Sequence, residues 1–359
     1  MKINTITCHD VYNHGASLQA YALMMYLSNQ GHDVKIIDYK PDYLSNHYNL
    51  FSVDNPRYAI NPFIKLLYLL TKLPFRLLDR KRKRSFDSFN KKHLNLTARY
   101  HNLTELQTSP PEADLYLCGS DQIWNTLHKN GKDPAFYLDF GSTDVRRASY
   151  AASLATDRIY DSYENFVKSK VNKLDNVACR ESSGVEILSC LGIENVVHVM
   201  DPVLLLSEEE WNAIATSTFN EKYILVYDCE NCPKLKNRAI QIAKDRGLKI
   251  YAVNPGKFDY VDKHYKHVGP DVFLSLIRDA NVVISNSFHA VVFPLIFKTD
   301  FVIMHRHEAL NQRMQDIFKT IDEKEAYIDS TIVSYNSAIG EVLTEKINFS
   351  KAYLQKIVS

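Results

Sequence analysis

The sequence predicts an α/β protein with two Rossmann-like lobes that face each other across a cleft. Short apolar stretches typical of buried strands alternate with helix-like stretches along most of the chain, and strands separated by helices pair in parallel. The same alternation begins again after a polar stretch around Trp211. The length of 359 residues also exceeds that of an ordinary single domain, so two units are expected.

The first lobe is predicted over residues 1–206. Its main helix, over 15–29, has one apolar side and ends at Gly31, a residue that commonly stops helices. Apolar, β-branched runs predict the strands 2–8, 34–39, 114–118, 147–152, 176–179 and 196–199. A basic helical insertion interrupts the lobe at about 56–95.

The second lobe is predicted over 207–310, after a polar junction near 206–221. Its predicted elements are the strands 223–227, 249–253, 281–285 and 301–304 and the helices 235–246, 271–278 and 289–297. The remainder, 311–359, reads as helices that pack back on the lobes. Such folds bind ligands in the cleft at the carboxyl ends of the strands.

Composition removes several classes of function. The 43 basic and 42 acidic side chains leave a net charge of +1, which gives no reason to expect nucleic-acid binding. The first residues lack the apolar run of a secretory signal, so a cytoplasmic protein with reduced thiols is expected. Cys229 and Cys232 form a lone pair of cysteines without the second pair of a structural zinc site, so we predict no zinc site there.

The segment 63–78 is the nearest candidate for a membrane-spanning stretch, and it runs into the cationic cluster 79–84. Lys65, Lys72, Pro74 and Arg76 interrupt it, and it is too short to cross a bilayer. Two interpretations are open. The segment is either a helix packed on the protein with a solvated basic end, or a peripheral contact with an anionic membrane over 63–84. Under the second, the protein would lie at the inner face of the cytoplasmic membrane.

Polar residues follow two predicted strands of the first lobe. The run 13–19 joins strand to helix, and its glycine and free helix amides suit a polar ligand or a plain tight turn. In the run 118–125, Asp121 can act as a base, bind a sugar hydroxyl or cap a helix. Trp124 can stack on the face of a sugar. These runs supply the candidate ligand-binding residues Asn13, His14, Gly15, Gln19, Ser120 and Trp124.

Two further segments carry anion-binding chemistry. Arg180 ends a predicted strand, and its guanidinium suits a carboxylate or phosphate, or else a local ion pair with Glu181. The strand over 281–285 delivers polar residues to the start of the next helix, where His289 can supply a proton or bind an anion. The candidate residues of these segments are Arg180, Asn286, Ser287 and His289.

Taken in order, these segments resemble the polysaccharide pyruvyl transferase family. The resemblance spans roughly residues 10 to 315, and no single motif is specific, but the ordered set is. Its motifs are NHGASLQAYAL (13–23), GSDQIWN (119–125), ASYAASLA (148–155), RESSG (180–184), DPVLLL (201–206), VVISNSFHAVVFPLIF (282–297) and the late NQR (311–313).

The resemblance implies a glycosyltransferase-B-like fold and transfer of a pyruvyl group from phosphoenolpyruvate to two hydroxyls of one sugar. The products would be a cyclic ketal and phosphate, without metal or nucleotide. The family's histidine falls on His289 and its donor-binding arginine on Arg180. With this reaction, the predicted catalytic residues are His289 and Asp121. The predicted donor-binding residues are Arg180, Asn286, Ser287, Phe288 and Arg313. The predicted acceptor-binding residues are Asn13, His14, Gly15, Gln19, Ser120 and Trp124. Many members have Asp-Ser-Phe-His-Gly where this chain has Asn286 to Ala290. Asn286 therefore replaces a carboxylate that could act as a base, and the side chain of Ala290 leaves less room for a ligand to approach the backbone.

Two other functions fit the same sequence. A nucleotide-sugar-dependent glycosyltransferase has the same two lobes, but it needs an acidic residue for the ribose, and Asp271 reads better as a helix cap. A non-catalytic sugar- or membrane-binding protein would account for the basic helix but not for the ordered polar residues around the cleft. The acceptor is expected to be a sugar of a bacterial capsule or exopolysaccharide, free or lipid-linked.

Overall fold

The computed structural model describes residues 1–44, 51–53, 56–58, 60–256, 258–305, 316 and 331–359. The first lobe contains a parallel sheet of five strands in the order β3-β2-β1-β4-β5. Its strands are β1 (Lys2–Ile6), β2 (Asp33–Tyr39), β3 (Leu96–Tyr100), β4 (Leu115–Cys118) and β5 (Arg146–Ser149). The order reverses between β1 and β4, which is where ligands bind in such sheets.

Two short strands continue this lobe beyond β5. They are β6 (Ala178–Cys179) and β7 (Val197–His198), which pair in parallel. Single bridges join Ala148 to Asn176 and Ala152 to Cys179, so the pair follows the edge of the five-stranded sheet. This continuation brings Arg180, directly after β6, to the same edge as the residues that follow β4.

The second lobe repeats the arrangement with the strand order β10-β9-β8-β11-β12. Its strands are β8 (Tyr223–Tyr227), β9 (Lys249–Ala252), β10 (Lys263–His264), β11 (Val282–Ser285) and β12 (Asp300–Ile303), all parallel. All residues of β8 and β11 are buried, as expected for central parallel strands covered on both faces. The two predicted Rossmann-like lobes are therefore confirmed.

Helices cover both sheets. They are α1 (His14–Asn29), α2 (Pro62–His93), α3 (Leu103–Thr108), α4 (Asp161–Val171), α5 (Ser182–Cys190), α6 (Glu208–Asn212), α7 (Pro233–Arg246), α8 (Pro270–Arg278), α9 (Phe288–Phe297) and α10 (Ser337–Val358). Helix α1 is buried on nearly every side, because it lies between its own sheet and α8 and α9 of the other lobe. The lobes thus share one apolar core through this helix.

The chain end returns to the first lobe through α10. The Tyr353 hydroxyl donates to the carbonyl of Ser149 at 2.9 Å, and the Met200 amide donates to the Ser350 hydroxyl at 2.9 Å. These bonds hold the end of α10 against the first sheet. The predicted helical end is therefore seen over α10, whereas most of 306–330 lies outside the described residues.

The basic insertion forms the 32-residue helix α2. Pro62 stands at its first position, and the side chain of Asn61 accepts from the Phe63 amide at 2.9 Å. The helix continues through Pro74, whose missing N–H falls in a solvated stretch where water can replace the lost bond. No helix in the described part of the chain is long and apolar enough to cross a membrane.

Candidate active site

The carboxyl ends of the central strands of both lobes meet at one cavity of about 250 Å³. The cavity therefore lies at the switch points of the two sheets, where the polar runs of the sequence end. First-lobe residues on its wall are Cys8, Val11, Asn13, Leu44, Asp121, Gln122, His128 and Asn130, and second-lobe residues are Cys229, Ser287, Phe288 and His289. The predicted residues Asn13, Asp121, Ser287, Phe288 and His289 are thus brought together.

His289 lies in the first turn of α9, directly after β11, and only 8% of it is exposed. Its Nε2 atom lies 3.4 Å from Oδ2 of Asp201, which is close enough for an ion pair when the ring is protonated. A Cβ atom at Gly15 would stand 2.0 Å from Nδ1 of His289. Because Gly15 has no side chain, it leaves room for the imidazole, and the first lobe packs directly against His289 of the second lobe.

Asp201 lies beside His289, although the sequence did not predict it as a site residue. It caps the short turn Pro202–Leu205, and its Oδ1 accepts from the Val203 amide at 3.1 Å. Its Oδ2 accepts from Nη1 of Arg180 at 2.8 Å and faces His289. Burial by itself would raise the pKa of Asp201, but His289 and Arg180 outweigh it and hold that pKa well below its usual range.

Arg180 is the centre of a buried charge cluster. Its Nη1 lies 3.3 Å from the Ser120 hydroxyl and its Nε lies 3.4 Å from Oε1 of Glu181, which also accepts from Ser153. Burial opposes the charge of Arg180, but Glu181 and Asp201 outweigh it and raise the pKa of the guanidinium. With both carboxylates ionised, the cluster has an excess negative charge that a protonated His289 would neutralise.

Arg180 does not reach the cavity wall, because Phe288 covers it. The guanidinium carbon lies 4.6 Å from the centre of the Phe288 ring, and Phe288 lines the cavity. The Nη2 atom of Arg180 is buried and has no hydrogen-bond partner in the described chain. A buried donor without a partner is costly, so a ligand that moves Phe288 aside would gain an unused donor at this position.

Asp121 projects into the cavity from a tightly held loop. Its backbone has a φ of 68°, a left-handed conformation that Asp adopts more readily than most residues. The Ser153 amide donates to the Asp121 carbonyl at 3.0 Å, and the Trp124 amide donates to the Ser153 carbonyl at 3.2 Å. The loop is therefore fixed to the strand edge beside Arg180, with the half-exposed Asp121 carboxylate free to meet a ligand.

Three predicted acceptor-binding side chains are fully buried and do not line the cavity. His14 stacks on Phe273 with ring centres 4.5 Å apart, and burial lowers its pKa. Gln19 accepts from the Ser120 amide at 3.0 Å, and the Trp124 indole donates to the carbonyl of Phe136 at 3.0 Å. These residues build the walls behind the site. Gly15 and Ser120 are likewise buried, and of this set Asn13 alone lies on the cavity.

The start of α9 is the part of the cavity wall whose chemistry suits an anion. Ser287 occupies the N-cap position, where its hydroxyl makes no capping bond, and it lines the cavity. The first amides of a helix lack intrahelical partners and favour an anion. Asn286 is fully buried instead, since its side chain accepts from the Cys229 amide at 2.9 Å and donates to Asp228 at 2.8 Å. Arg313 lies outside the described residues.

The sequence did not predict several residues of the cavity wall, because only the folded loop brings them to the cavity. Gln122, His128 and Asn130 come from the long loop after β4, and Asn130 donates to the Gln122 carbonyl at 2.5 Å. Asp201 had one available signal, as it is the acid at the head of the ordered motif DPVLLL. The described residues contain no group of three metal-ligand side chains, and all six cysteines are free thiols.

Comparison with known proteins gives a family and a fold. The sequence profile described as Polysaccharide pyruvyl transferase matches residues 13–307. No curated protein sequence matches the chain. An α-glucosyltransferase in complex with UDP and DNA aligns over 100% of this chain and 99% of its own, with a TM-score of 0.50 and 8% identity. It supports the glycosyltransferase-B fold alone.

Two epimerases align less closely. The UDP-GlcNAc 2-epimerase from Methanocaldococcus jannaschii is 14% identical, with a TM-score of 0.47 over 97% of this chain and 93% of its own. The enzyme from Neisseria meningitidis bound to UDP-GlcNAc is 12% identical, with a TM-score of 0.47 over 100% of both chains.

Proposed function

The chain belongs to the polysaccharide pyruvyl transferase family, and we propose that it moves a pyruvyl group from phosphoenolpyruvate to two hydroxyls of one sugar. The product is a cyclic ketal, and phosphate is released. The acceptor sugar belongs to a bacterial capsule or exopolysaccharide, or to its lipid-linked precursor. The reaction uses phosphoenolpyruvate as a co-substrate and no further cofactor.

The observation that carries this proposal is a cavity that His289 lines from one lobe and Asp121 from the other, with the buried Asp201 paired to His289 behind the cavity wall. A proton donor and a carboxylate thus face the same space from opposite sides. Phosphoenolpyruvate carries two anionic groups, and the site offers two places for anions. The helix start at Ser287 suits the phosphate, and the unused Nη2 of Arg180 suits the carboxylate once Phe288 moves.

The proposed reaction begins with proton transfer from His289 to the methylene carbon of phosphoenolpyruvate. The adjacent carbon becomes cation-like, and the first sugar hydroxyl bonds to it while Asp121 takes the hydroxyl proton. The carbon–oxygen bond to phosphate then breaks. The second hydroxyl closes the ring, its proton returns to His289, and the proton on Asp121 leaves with phosphate. His289 and Asp121 therefore return to their starting protonation states after one turnover.

Asp201 acts through His289 rather than on the substrate. Its carboxylate is fixed on one side by Arg180 and the Val203 amide, so it can orient the imidazole and balance the positive charge of the protonated ring. A fixed, buried carboxylate beside a histidine is a recurrent way to set ring orientation in acid–base catalysis. Asp201 is therefore a positioning residue in this scheme.

The proposal is tested by titrating the full chain with phosphoenolpyruvate and, separately, with nucleotide sugars while thermal unfolding is followed. We expect stabilisation by phosphoenolpyruvate and phosphate release when a sugar acceptor is added. Stabilisation by nucleotide sugars alone would instead support the glycosyltransferase alternative. Binding of sugars without turnover of either donor would support a non-catalytic binding protein.

A further inference from the structure

The first half of α2 exposes a cluster of large apolar side chains to solvent. Phe63 is 83% exposed, Leu67 64% and Leu70 56%. Further exposed apolar residues of the same stretch are Leu66, Phe75, Leu77 and Leu78. Scattered exposed leucines are ordinary, but a contiguous patch of this kind on a helix marks an interaction surface.

Four of these exposed residues form one stripe along the helix. Phe63, Leu67, Leu70 and Leu77 are separated by four, three and seven positions, which places them on the same side. Lys65 and Lys72 lie on the opposite side. This half of α2 is therefore amphipathic, and both its apolar stripe and its lysines are exposed to solvent.

Cations accompany this stripe. Residues 62–84 contain eight Lys and Arg side chains and one acid, Asp79. Arg82 is buried in the protein, whereas Arg80, Lys81 and Arg84 are exposed at the end of the stripe. A binding partner must therefore offer apolar surface beside negative charge. An anionic lipid bilayer offers both, since acyl chains lie beneath charged headgroups.

We propose that α2 docks the protein on an anionic membrane surface, with the helix lying in the headgroup layer and the stripe headed by Phe63 facing the acyl chains. The inference rests on exposure and charge, and it is independent of the proposed reaction. Docking in the plane of the interface agrees with a helix that is not apolar enough to span the bilayer.

The second half of α2 connects this surface to the cleft. Arg82 donates through Nη2 to the Tyr12 carbonyl at 2.8 Å, and the Ser85 hydroxyl donates to the His267 carbonyl at 2.7 Å. One bond reaches the first lobe and the other reaches the second. Tyr12 precedes Asn13, which lines the cavity. A docked α2 therefore holds the cleft close to the membrane, where a lipid-carried sugar would lie.

The test is flotation of the full chain with phosphatidylglycerol–phosphatidylethanolamine vesicles, without phosphoenolpyruvate or sugar. We expect the wild type to float. The variant Phe63→Ser/Leu67→Ser/Leu70→Ser should lose at least about a hundredfold in partition coefficient, because three apolar anchors are removed. The control Ile240→Ser/Phe349→Ser removes exposed apolar residues from other helices and should float like the wild type.

A second variant tests the charge requirement. Arg80→Gln/Lys81→Gln/Arg84→Gln should lose about fivefold per charge on the anionic vesicles and almost nothing on phosphatidylcholine vesicles. The control Lys222→Gln/Lys234→Gln/Lys244→Gln removes three exposed lysines elsewhere and should bind normally. Equal binding by the α2 variants and the wild type would overturn the proposal.

Two other outcomes would also overturn it. The first is that the wild type does not float with the vesicles, because it then does not dock on them. The second is that the wild type is a dimer and the serine variant a monomer, because the stripe is then an interface between two copies of the chain. Phosphate release with a soluble sugar acceptor should be the same in the wild type and the serine variant. Loss of flotation with retained turnover separates a failure of docking from a failure of the proposed reaction.

Discussion

The carboxylate of Asp201 lies 3.4 Å from the imidazole of His289, measured from Oδ2 to Nε2. The same oxygen accepts a bond from Arg180 at 2.8 Å, so one buried carboxylate joins the arginine and the histidine of the cleft. This arrangement explains how the motifs around Arg180 and His289, about a hundred positions apart, can act as one site. It also makes Asp201 the residue through which the role of His289 can be tested indirectly.

Replacing Asp201 by Asn should lower kcat for phosphate release by at least about tenfold, because the imidazole loses its charged, oriented partner. The KM for phosphoenolpyruvate should change less, since Asp201 does not line the cavity. Steady-state kinetics measure both constants. Asp259→Asn is the control, as that carboxylate is exposed and pairs only with Lys236 among the described residues. An unchanged kcat for Asp201→Asn would remove Asp201 from the mechanism.

The same variant should show a pH-dependent loss of stability. The pKa of Asp201 is lower in the folded than in the unfolded chain, so its stabilising contribution is complete above the unfolded value and disappears as the pH falls through the folded value. We expect a deficit of about 3 kcal/mol in the free energy of unfolding at neutral pH, from breaking a buried ion pair. The deficit should narrow below about pH 4. Urea unfolding across this range measures it, and a deficit that widens in acid would contradict the account.

Gly15→Ala should move His289, because the added Cβ would meet Nδ1 at 2.0 Å. We expect turnover to fall by about 10² or more, the range of a misplaced acid–base group. The double variant Gly15→Ala/His289→Ala should be no slower than His289→Ala alone, since the imidazole that clashes is gone. Phosphate-release kinetics on all three variants complete the cycle. Additive losses would show that Gly15 acts on something other than His289.

Trp124→Phe separates a packing role from a sugar-stacking role. The indole is fully buried, donates to the carbonyl of Phe136 and stacks on Tyr137. We expect the free energy of unfolding to fall by about 1–3 kcal/mol, from a lost hydrogen bond and lost packing. The KM for the sugar acceptor should stay unchanged. A raised acceptor KM with unaltered stability would restore Trp124 to the binding surface.

His14→Phe should reduce the acid sensitivity of the contact between the lobes. Burial, followed by the charge of Arg82, lowers the pKa of His14 in the folded chain. The unfolded chain therefore takes up this proton first, and stability is lost as the pH falls below about 6.5. Phenylalanine keeps the stacking on Phe273 and cannot titrate. Thermal unfolding between neutral and mildly acidic pH should show a smaller decrease in Tm for the variant, and an equal decrease would refute the assignment.

Much of the fold was predictable because its central strands are continuous apolar runs. The strand Tyr223–Tyr227 was predicted with its observed ends, and both sheets follow from alternation with helices. Strand β10 was missed, since the two residues Lys263–His264 carry no apolar signal and are held by pairing with β9. Helix α2 was predicted as the basic helical insertion at about 56–95, and it continues through Pro74 because its solvated side tolerates the proline.

The location of the site was more predictable than the direction of its side chains. Polar runs after strands mark the cleft, because strand ends of parallel sheets converge there. Nothing in the sequence shows that Trp124 and His14 turn into the core while Asp121 turns into the cavity. The role of Asp201 was equally hidden, since it arises only when three separate segments meet around Arg180.

The most direct measurement is phosphate release from phosphoenolpyruvate, with a sugar acceptor, by the wild type and by His289→Asn. The account predicts acceptor-dependent release by the wild type and a loss of about 10²–10⁴ in rate for a variant that unfolds at the same temperature. His101→Asn, which alters an exposed histidine, should match the wild type. Near-normal release by His289→Asn would contradict the assignment of the reaction to this histidine.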